Sequence, residues 1–349
     1  MTARSKFIEH PFDNPDYINE SLIKFKNENW DGKIFQDLIN EYRKIFKTIP
    51  TYPIKVPKGT IFFRGRPNDE TGLFKELKQI SIKPKDLVLS FGRANIPNQA
   101  VFYCSTNEET VVREVTQWYI NDKGRAQDLI TKKVIGMNWS PFTYMMTISA
   151  WVVKEDLNVT VLFNGDAQKR SLAVQEYEKD RQNIVNRGNA NRLKSRNLIL
   201  DFFSKEFGKL DVKHEFEYLY SAFYAYEVYS SEIIEDPSKK LDGVKFASIA
   251  NDLRGENYAL SEEAFKNKID FLGANFCYTY NNNVGKIEAE GTAMIGRVNA
   301  AILKDDLTFE WTESTNDFDY IVKTGNEYKF LVLQSSGSRF PKAVVRING

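Results

Sequence analysis

Residues 101–119, VFYCSTNEETVVREVTQWY, change their period partway along. Val101 to Cys104 is a short apolar run of the length and composition of a strand. Ser105 or Thr106 can then cap a helix, and Glu108 and Glu109 fall in its first turn, where carboxylates suit the helix dipole. Val111, Val112, Val115, Trp118 and Tyr119 recur at helical spacing and form an inward face. Glu114 sits among them. A glutamate there is either a boundary residue or is paired in a pocket, because burying a lone carboxylate is costly. The stretch predicts a strand that runs straight into a helix carrying one carboxylate inward.

Upstream, Thr60 to Arg64 reads as a strand, ended by Gly65, Pro67, Asn68 and Asp69 and approached through Pro50, Pro53 and Pro57. Residues 14–48 read as two helices. In the second, Ile34, Phe35, Leu38, Ile39, Tyr42 and Ile45 make an apolar stripe, so residues 1–55 are expected to be an N-terminal helical cap packed on the core. Downstream, 143–163 reads as strands and 167–206 as helix interrupted near Gly188. Residues 212–229 read as an aromatic helix (Phe216, Tyr218, Tyr220, Phe223, Tyr224, Tyr226, Tyr229) whose stripe belongs to the core. Val244 to Ala247, after Asp242-Gly243, is a short buried strand, and 269–349 alternates as strands and hairpins. The class is α+β with a curved or split mixed sheet.

The chain has 349 residues, 42% apolar and 13% aromatic, enough for a large core in one domain with insertions or in two. Its 48 basic and 47 acidic residues nearly cancel, so bulk charge gives no argument for nucleic acid or membrane binding. Cys104 and Cys277 cannot make a disulfide framework and read as buried thiols. In HEFEY, Tyr218 stands where the second histidine of a zinc-protease helix would follow His214, so no metal is expected. There is no phosphate loop and no Gly-x-Gly-x-x-Gly after a strand, so kinase and dehydrogenase chemistry lack support. The N-terminus has no apolar segment of signal length. The longest uncharged run, Val134 to Val153, is interrupted by Asn138, Ser140 and Pro141, and its second half looks like a strand. A cytoplasmic protein that does not span a membrane is expected. Residues 181–196 carry Arg181, Arg187, Arg192, Lys194 and Arg196 without an acid. They read as a solvated helix face, with phosphate or RNA binding as the alternative.

Four separated pieces place polar groups at the edges of apolar segments: FFRGRP (62–67), SFGRANIP (90–97), the strand and helix leading to Glu114, and DGVKFAS (242–248). Arginine offers fixed, paired donors that match phosphate oxygens. Strand alternation puts Arg64 and Arg66 on one face, so either could serve. The order of these pieces resembles the RES family, named for Arg, Glu and Ser. The match runs through Arg64 after an apolar strand, then Gly92, Arg93 and Asn95. It continues with Tyr103 at a strand end, Glu114 on a helix, Ser248 after Asp-Gly, and a later Asn257. Phe246-Ala247 departs from the family's Tyr-Pro, and 134 positions separate Glu114 from Ser248. The matched parts are roughly 58–119 and 236–280. Residues 56–349 would form the RES-like domain, with a mainly helical insertion at about 120–235 and a β-rich C-terminal part.

The resemblance implies an ADP-ribosyltransferase-like split sheet, NAD as substrate, and no metal or other cofactor. It implies catalytic roles for Glu114, Arg64 and Ser248, and substrate binding by Arg93, Tyr103, Asn257 and Arg66. Glu114 would stabilise the sugar cation, the arginines the pyrophosphate, and Ser248 a ribose or amide group. Structural alternatives stand beside these roles: Arg64 as an ion-pair partner of Glu114, Arg93 as a loop closure, Tyr103 as core, Ser248 as a cap, and Asn257 in a turn. The implied function is an NAD-degrading toxin or defence effector restrained by an antitoxin or by assembly. The alternatives are an ADP-ribosyltransferase acting on a macromolecule and a non-catalytic NAD-binding module.

Overall fold

The computed structural model describes residues 11–28, 35–68, 72–121, 143–162, 190–209, 212, 214–230, 240–250, 255–281, 293–313, 320–324, 327–333 and 339–346. Helices α1 (Pro15–Asn27) and α2 (Phe35–Phe46) come first. Asn14 caps α1 by accepting the Tyr17 N–H at 3.1 Å, and Pro15 takes a first-turn position where no helix bond is lost. Strands β1 (Pro53–Val56) and β2 (Ile61–Pro67), the single turn α3 (Leu77–Ile80), β3 (Val101–Ser105) and α4 (Glu108–Asn121) follow. Next are β4 (Thr143–Val153), β5 (Leu157–Leu162), α5 (Ala190–Phe207) and α6 (Leu219–Ser230). Then come β6 (Gly243–Ser248), β7 (Gly255–Ser261) and α7 (Glu262–Lys268). The chain ends in β8 (Ile269–Asn281), β9 (Ala293–Leu303), β10 (Phe309–Glu313), β11 (Tyr320–Thr324), β12 (Glu327–Leu333) and β13 (Arg339–Arg346).

Ten strands make one sheet in the order β1-β5-β6-β7-β3-β2-β4-β8-β9-β10, and β11-β12-β13 make a second. The class is α+β with a large mixed sheet. The β5–β6 pair is parallel, and its long connection holds α5 and α6, as a parallel crossover requires. The centre of the large sheet is nearly open. Strand β2 pairs with β4 along its full length, and β3 does so with β7, but β2 and β3 share a single pair, Phe63 opposite Ser105.

The strands expected at 143–163 form as β4 and β5 within the mainly helical interval 120–235, and both join the large sheet. Local reasoning and structure part company in two places. Pro53–Val56, between two prolines, is an edge strand, a position where a missing amide donor is tolerated. Asn257 lies inside β7, between β3 and β6, not in a turn. Residues 134–142 of the uncharged run fall outside the described residues; 143–153 is strand β4. Among the described residues no helix is long and apolar enough to cross a membrane.

Helices α1, α2, α5 and α6 share one core with sheet residues Val244 and Phe246. Phe25, Tyr42, Phe203, Phe223 and Tyr224 fill it, and Tyr224 and Tyr220 satisfy their hydroxyls on Pro50 O (3.1 Å) and Phe25 O (3.0 Å). Polar ties also run through this core. Arg43 on α2 donates to both oxygens of Glu227 on α6, at 3.1 and 3.2 Å. The described part of the basic stretch is used the same way: Arg192 grips Asp13 with two bonds of 3.1 Å, and Arg196 donates to Thr51 O at 3.2 Å. Residues 181–189 lie outside the described residues.

Removing one member of a buried ion pair leaves the other charge without its best partner. The Glu227 side chain is 0% exposed and Arg43 is 30% exposed, so water screens the pair on one side. Arg43→Ala is therefore expected to destabilise by about 2 kcal/mol, below the range for a fully dry pair. Urea unfolding checks this, with an unchanged midpoint as the contrary result.

Candidate active site

Helix α4 begins at a compact polar joint. Asn107, and not Ser105 or Thr106, supplies the cap: its Oδ1 accepts the Thr110 N–H at 3.2 Å. Ser105 Oγ accepts the Asn107 N–H at 3.2 Å and donates to Glu256 O at 2.7 Å, which fixes the joint to β7. The helix then crosses β2 at Gly65. A Cβ there would sit 2.7 Å from Val111 Cγ1 and 2.9 Å from Val115 Cγ2. Both valines are branched at Cβ and stiff, so they cannot yield easily. Gly65→Ala should push α4, and Glu114 with it, off the sheet. We expect a loss of about 1–3 kcal/mol, typical of overpacking. Thermal melting measures that loss, and an unshifted melting temperature would show that the helix has room to move.

Glu114 is half-buried and its Oε1 accepts two bonds, from Ser248 Oγ at 2.6 Å and from Asn257 Nδ2 at 2.5 Å. Ser248 ends β6, Asn257 lies in the neighbouring β7, and both are buried. The antiparallel register puts Phe246 opposite Asn257 and Ser248 opposite Gly255, so the two donors are close diagonal neighbours on the hairpin. No described residue bonds to Oε2. The carboxyl group is thus held at one oxygen by neutral donors, and no described ion pair reaches it.

Arg64 is buried on β2. Its Nη1 donates to Tyr103 O at 2.7 Å across the gap between β2 and β3, and its guanidinium lies 5.0 Å from the Phe102 ring centre. Arg66, two residues on, donates from Nη2 to Ser81 O at 3.1 Å. The Nε of each is buried without a hydrogen-bond partner, and no described carboxylate pairs with either residue. Desolvation, and then the charge of Arg66, hold the Arg64 pKa well below its ordinary value; desolvation lowers that of Arg66. Two desolvated cations, each with a buried idle Nε, favour an anion between or beside them, since it would restore both charge balance and hydrogen bonding. Arg64 is not the ion-pair partner of Glu114.

Arg93 is engaged elsewhere. Its Nη1 donates to Phe207 O and its Nη2 to Lys209 O at 3.1 Å, closing the C-terminal end of α5, and its guanidinium lies 5.4 Å from the Tyr218 ring centre. The geometry therefore has Arg93 close a loop, and both terminal nitrogens expected at a pyrophosphate already have partners. Tyr103 shapes the same loop: its hydroxyl accepts the Ala94 N–H at 2.8 Å and donates to Asn95 Oδ1 at 2.9 Å. Burial raises its pKa, so it is a neutral hydroxyl. Gly92 lies so close that a Cβ would stand 2.3 Å from Asn95 Oδ1.

These groups border one cleft of about 700 Å³. Its walls include Arg64, Arg66, Arg93, Tyr103, Glu114 and Asn257, while Ser248 stands behind Glu114 as its support. Phe63 and Gly65 point to the α4 side of β2 and the arginines to the other by alternation. All four border the cleft, because the sheet is open between β2 and β3 beyond Phe63. Tyr218, His214 and Glu215 also line it. Tyr218 is buried against Arg93 and near the charge of Glu114, and desolvation raises its pKa. Reading the aromatic stripe as plain core missed it. The clue available was the polar cluster of HEFEY breaking that stripe.

No family model matches the chain, and no curated protein does. Among solved structures, the chain is similar to one from the M. tuberculosis MbcT-MbcA toxin-antitoxin complex. Identity is 8%, coverage is 75% of this chain and 92% of that one, and the TM-score is 0.32. A likeness of that degree carries neither fold nor function to this chain.

Proposed function

We propose that this chain is a RES-like enzyme that cleaves NAD at the bond between nicotinamide and ribose. One observation carries the proposal: a carboxylate anchored through a single oxygen shares a cleft with a buried arginine, Arg64, and a half-buried one, Arg66, that no described carboxylate neutralises. A dinucleotide supplies what each lacks. Its pyrophosphate would engage the Arg64 and Arg66 donors, and its nicotinamide ribose would face Glu114. As the bond from the ribose C1′ to the ring nitrogen breaks, the electron pair leaves with nicotinamide, which departs neutral. Positive charge grows on the sugar, and a fixed carboxylate stabilises it more in the transition state than in the ground state. The oxygen of water then bonds to C1′ and gives up a proton, leaving ADP-ribose. Ser248 and Asn257 act by holding Glu114, so Ser248 is a positioning residue and not a nucleophile.

The nearly divided sheet supports an ADP-ribosyltransferase-like core, with 1–55 as a cap built on α1 and α2 that leads into β1, and 56–349 as the catalytic domain. Depletion of NAD would make the chain a cytoplasmic toxin requiring a protein antitoxin. The direct test incubates the purified chain with NAD and follows free nicotinamide and ADP-ribose. Equal release of both is expected. Phosphorolysis would give a phosphorylated ADP-ribose when phosphate is present, and transfer would leave label on a macromolecule. Absence of nicotinamide release with and without phosphate or acceptor overturns the proposal.

A further inference from the structure

Phe216 departs from the other aromatic residues of its segment, being 68% exposed. Its ring lies 5.9 Å from that of Phe91, centre to centre. Phe91 rests in turn on Phe35 at 5.8 Å, and Phe35 packs on Phe223 and Tyr226 of α6. Phe216 is thus the outer ring of a row rooted in the core, a rigid aromatic face with solvent on one side. Phe91 borders the same cleft as Glu114 and Arg64, beside Glu215. Glu215 Oε2 accepts the Phe91 N–H at 2.9 Å, while Oε1 bonds to no described residue.

We propose that the Phe91–Phe216 face seats the second heteroaromatic base of the substrate, the adenine of NAD. The proposal rests on the NAD-cleaving function above. A dinucleotide has a planar ring at each end and a pyrophosphate between. With nicotinamide ribose at Glu114 and the pyrophosphate at Arg64 and Arg66, the other ring needs an aromatic surface on the same cleft. Phe91, which lines the cleft and carries Phe216 on its outer side, supplies that contact, and the idle Glu215 oxygen can accept from the exocyclic amine.

The test compares wild type with Phe216→Ala on NAD and on nicotinamide mononucleotide, which has the scissile bond but no adenosine. Phe216 is mostly exposed, so the variant should fold normally. We expect kcat/KM for NAD to fall about 10-fold while that for the mononucleotide is unchanged. ADP-ribose binding, followed by calorimetry, should weaken by the same factor. An equal loss on both substrates, or on neither, overturns the seat. If wild type binds ADP-ribose through Phe216 but releases no nicotinamide, the seat stands and the cleavage reaction falls. If wild type fails to bind ADP-ribose, the seat falls.

Discussion

Glu114→Gln is expected to lower nicotinamide release by about 10³-fold, the scale on which single electrostatic stabilisers act in a closed site. Glutamine has the same shape, and its amide oxygen can still accept from Ser248 Oγ and Asn257 Nδ2, which now bond to Oε1 at 2.6 and 2.5 Å. Fold and substrate affinity should therefore survive while the negative charge is lost. The effect should fall on kcat, because the charge matters when the sugar becomes cationic and much less before. Single-turnover measurement of nicotinamide release with saturating NAD isolates that step. A variant that keeps wild-type kcat would remove Glu114 from the chemistry. One that unfolds would instead report on the packing of α4.

Arg64→Ala should act at an earlier step, raising the concentration of NAD needed for half-saturation about 100-fold. Charge-assisted hydrogen bonds to phosphate are among the stronger polar contacts in proteins. Arg64 is well prepared to make them: it is buried, anchored on Tyr103 O at 2.7 Å, and has an idle Nε. Arg64→Lys should recover little, because one ammonium cannot both reach Tyr103 O and present a second donor in the guanidinium geometry. Equilibrium binding of ADP-ribose separates this from a fault in catalysis. Unchanged affinity in Arg64→Ala would assign the anion to Arg66 alone. Arg93→Ala offers a useful contrast, since its guanidinium already holds Phe207 O and Lys209 O. Its loss should loosen the loop around Gly92.

Periodicity reveals elements whose apolar face is set locally. The strand and helix of 101–121, the paired helices before residue 47, and strand 143–153 all emerge where apolar spacing predicts. Elements whose character depends on neighbours do not. Strand β7 contains Gly255, Glu256 and Asn257, poor strand formers in isolation, and is a strand because β3 and β6 pair with it on both sides. The candidate site divides along the same line. Residue types and chain order bring Arg64, Glu114 and Ser248 to notice. Whether Arg64 pairs with Glu114 is a question about the distance between two strands and a helix, and no local pattern answers it. Arg93 shows the converse: its motif suits a phosphate, but the end of α5 arrives 114 positions later to occupy it.

By itself, then, the order of residues determined that a carboxylate would ride inward on a helix directly after a strand, and that Arg64 would lie on a strand, although β2 runs on through Gly65 to Pro67 instead of stopping at Arg64. Amphipathic spacing and side-chain chemistry are properties of neighbours along the chain. Tertiary structure alone decided that β2 and β3 meet at one pair, that the opening beside it becomes the cleft, and that Ser248 and Asn257 take hold of Glu114. The last of these depends on β7 pairing with β3 across more than a hundred residues, where hydrogen bonding to distant partners outweighs local preference.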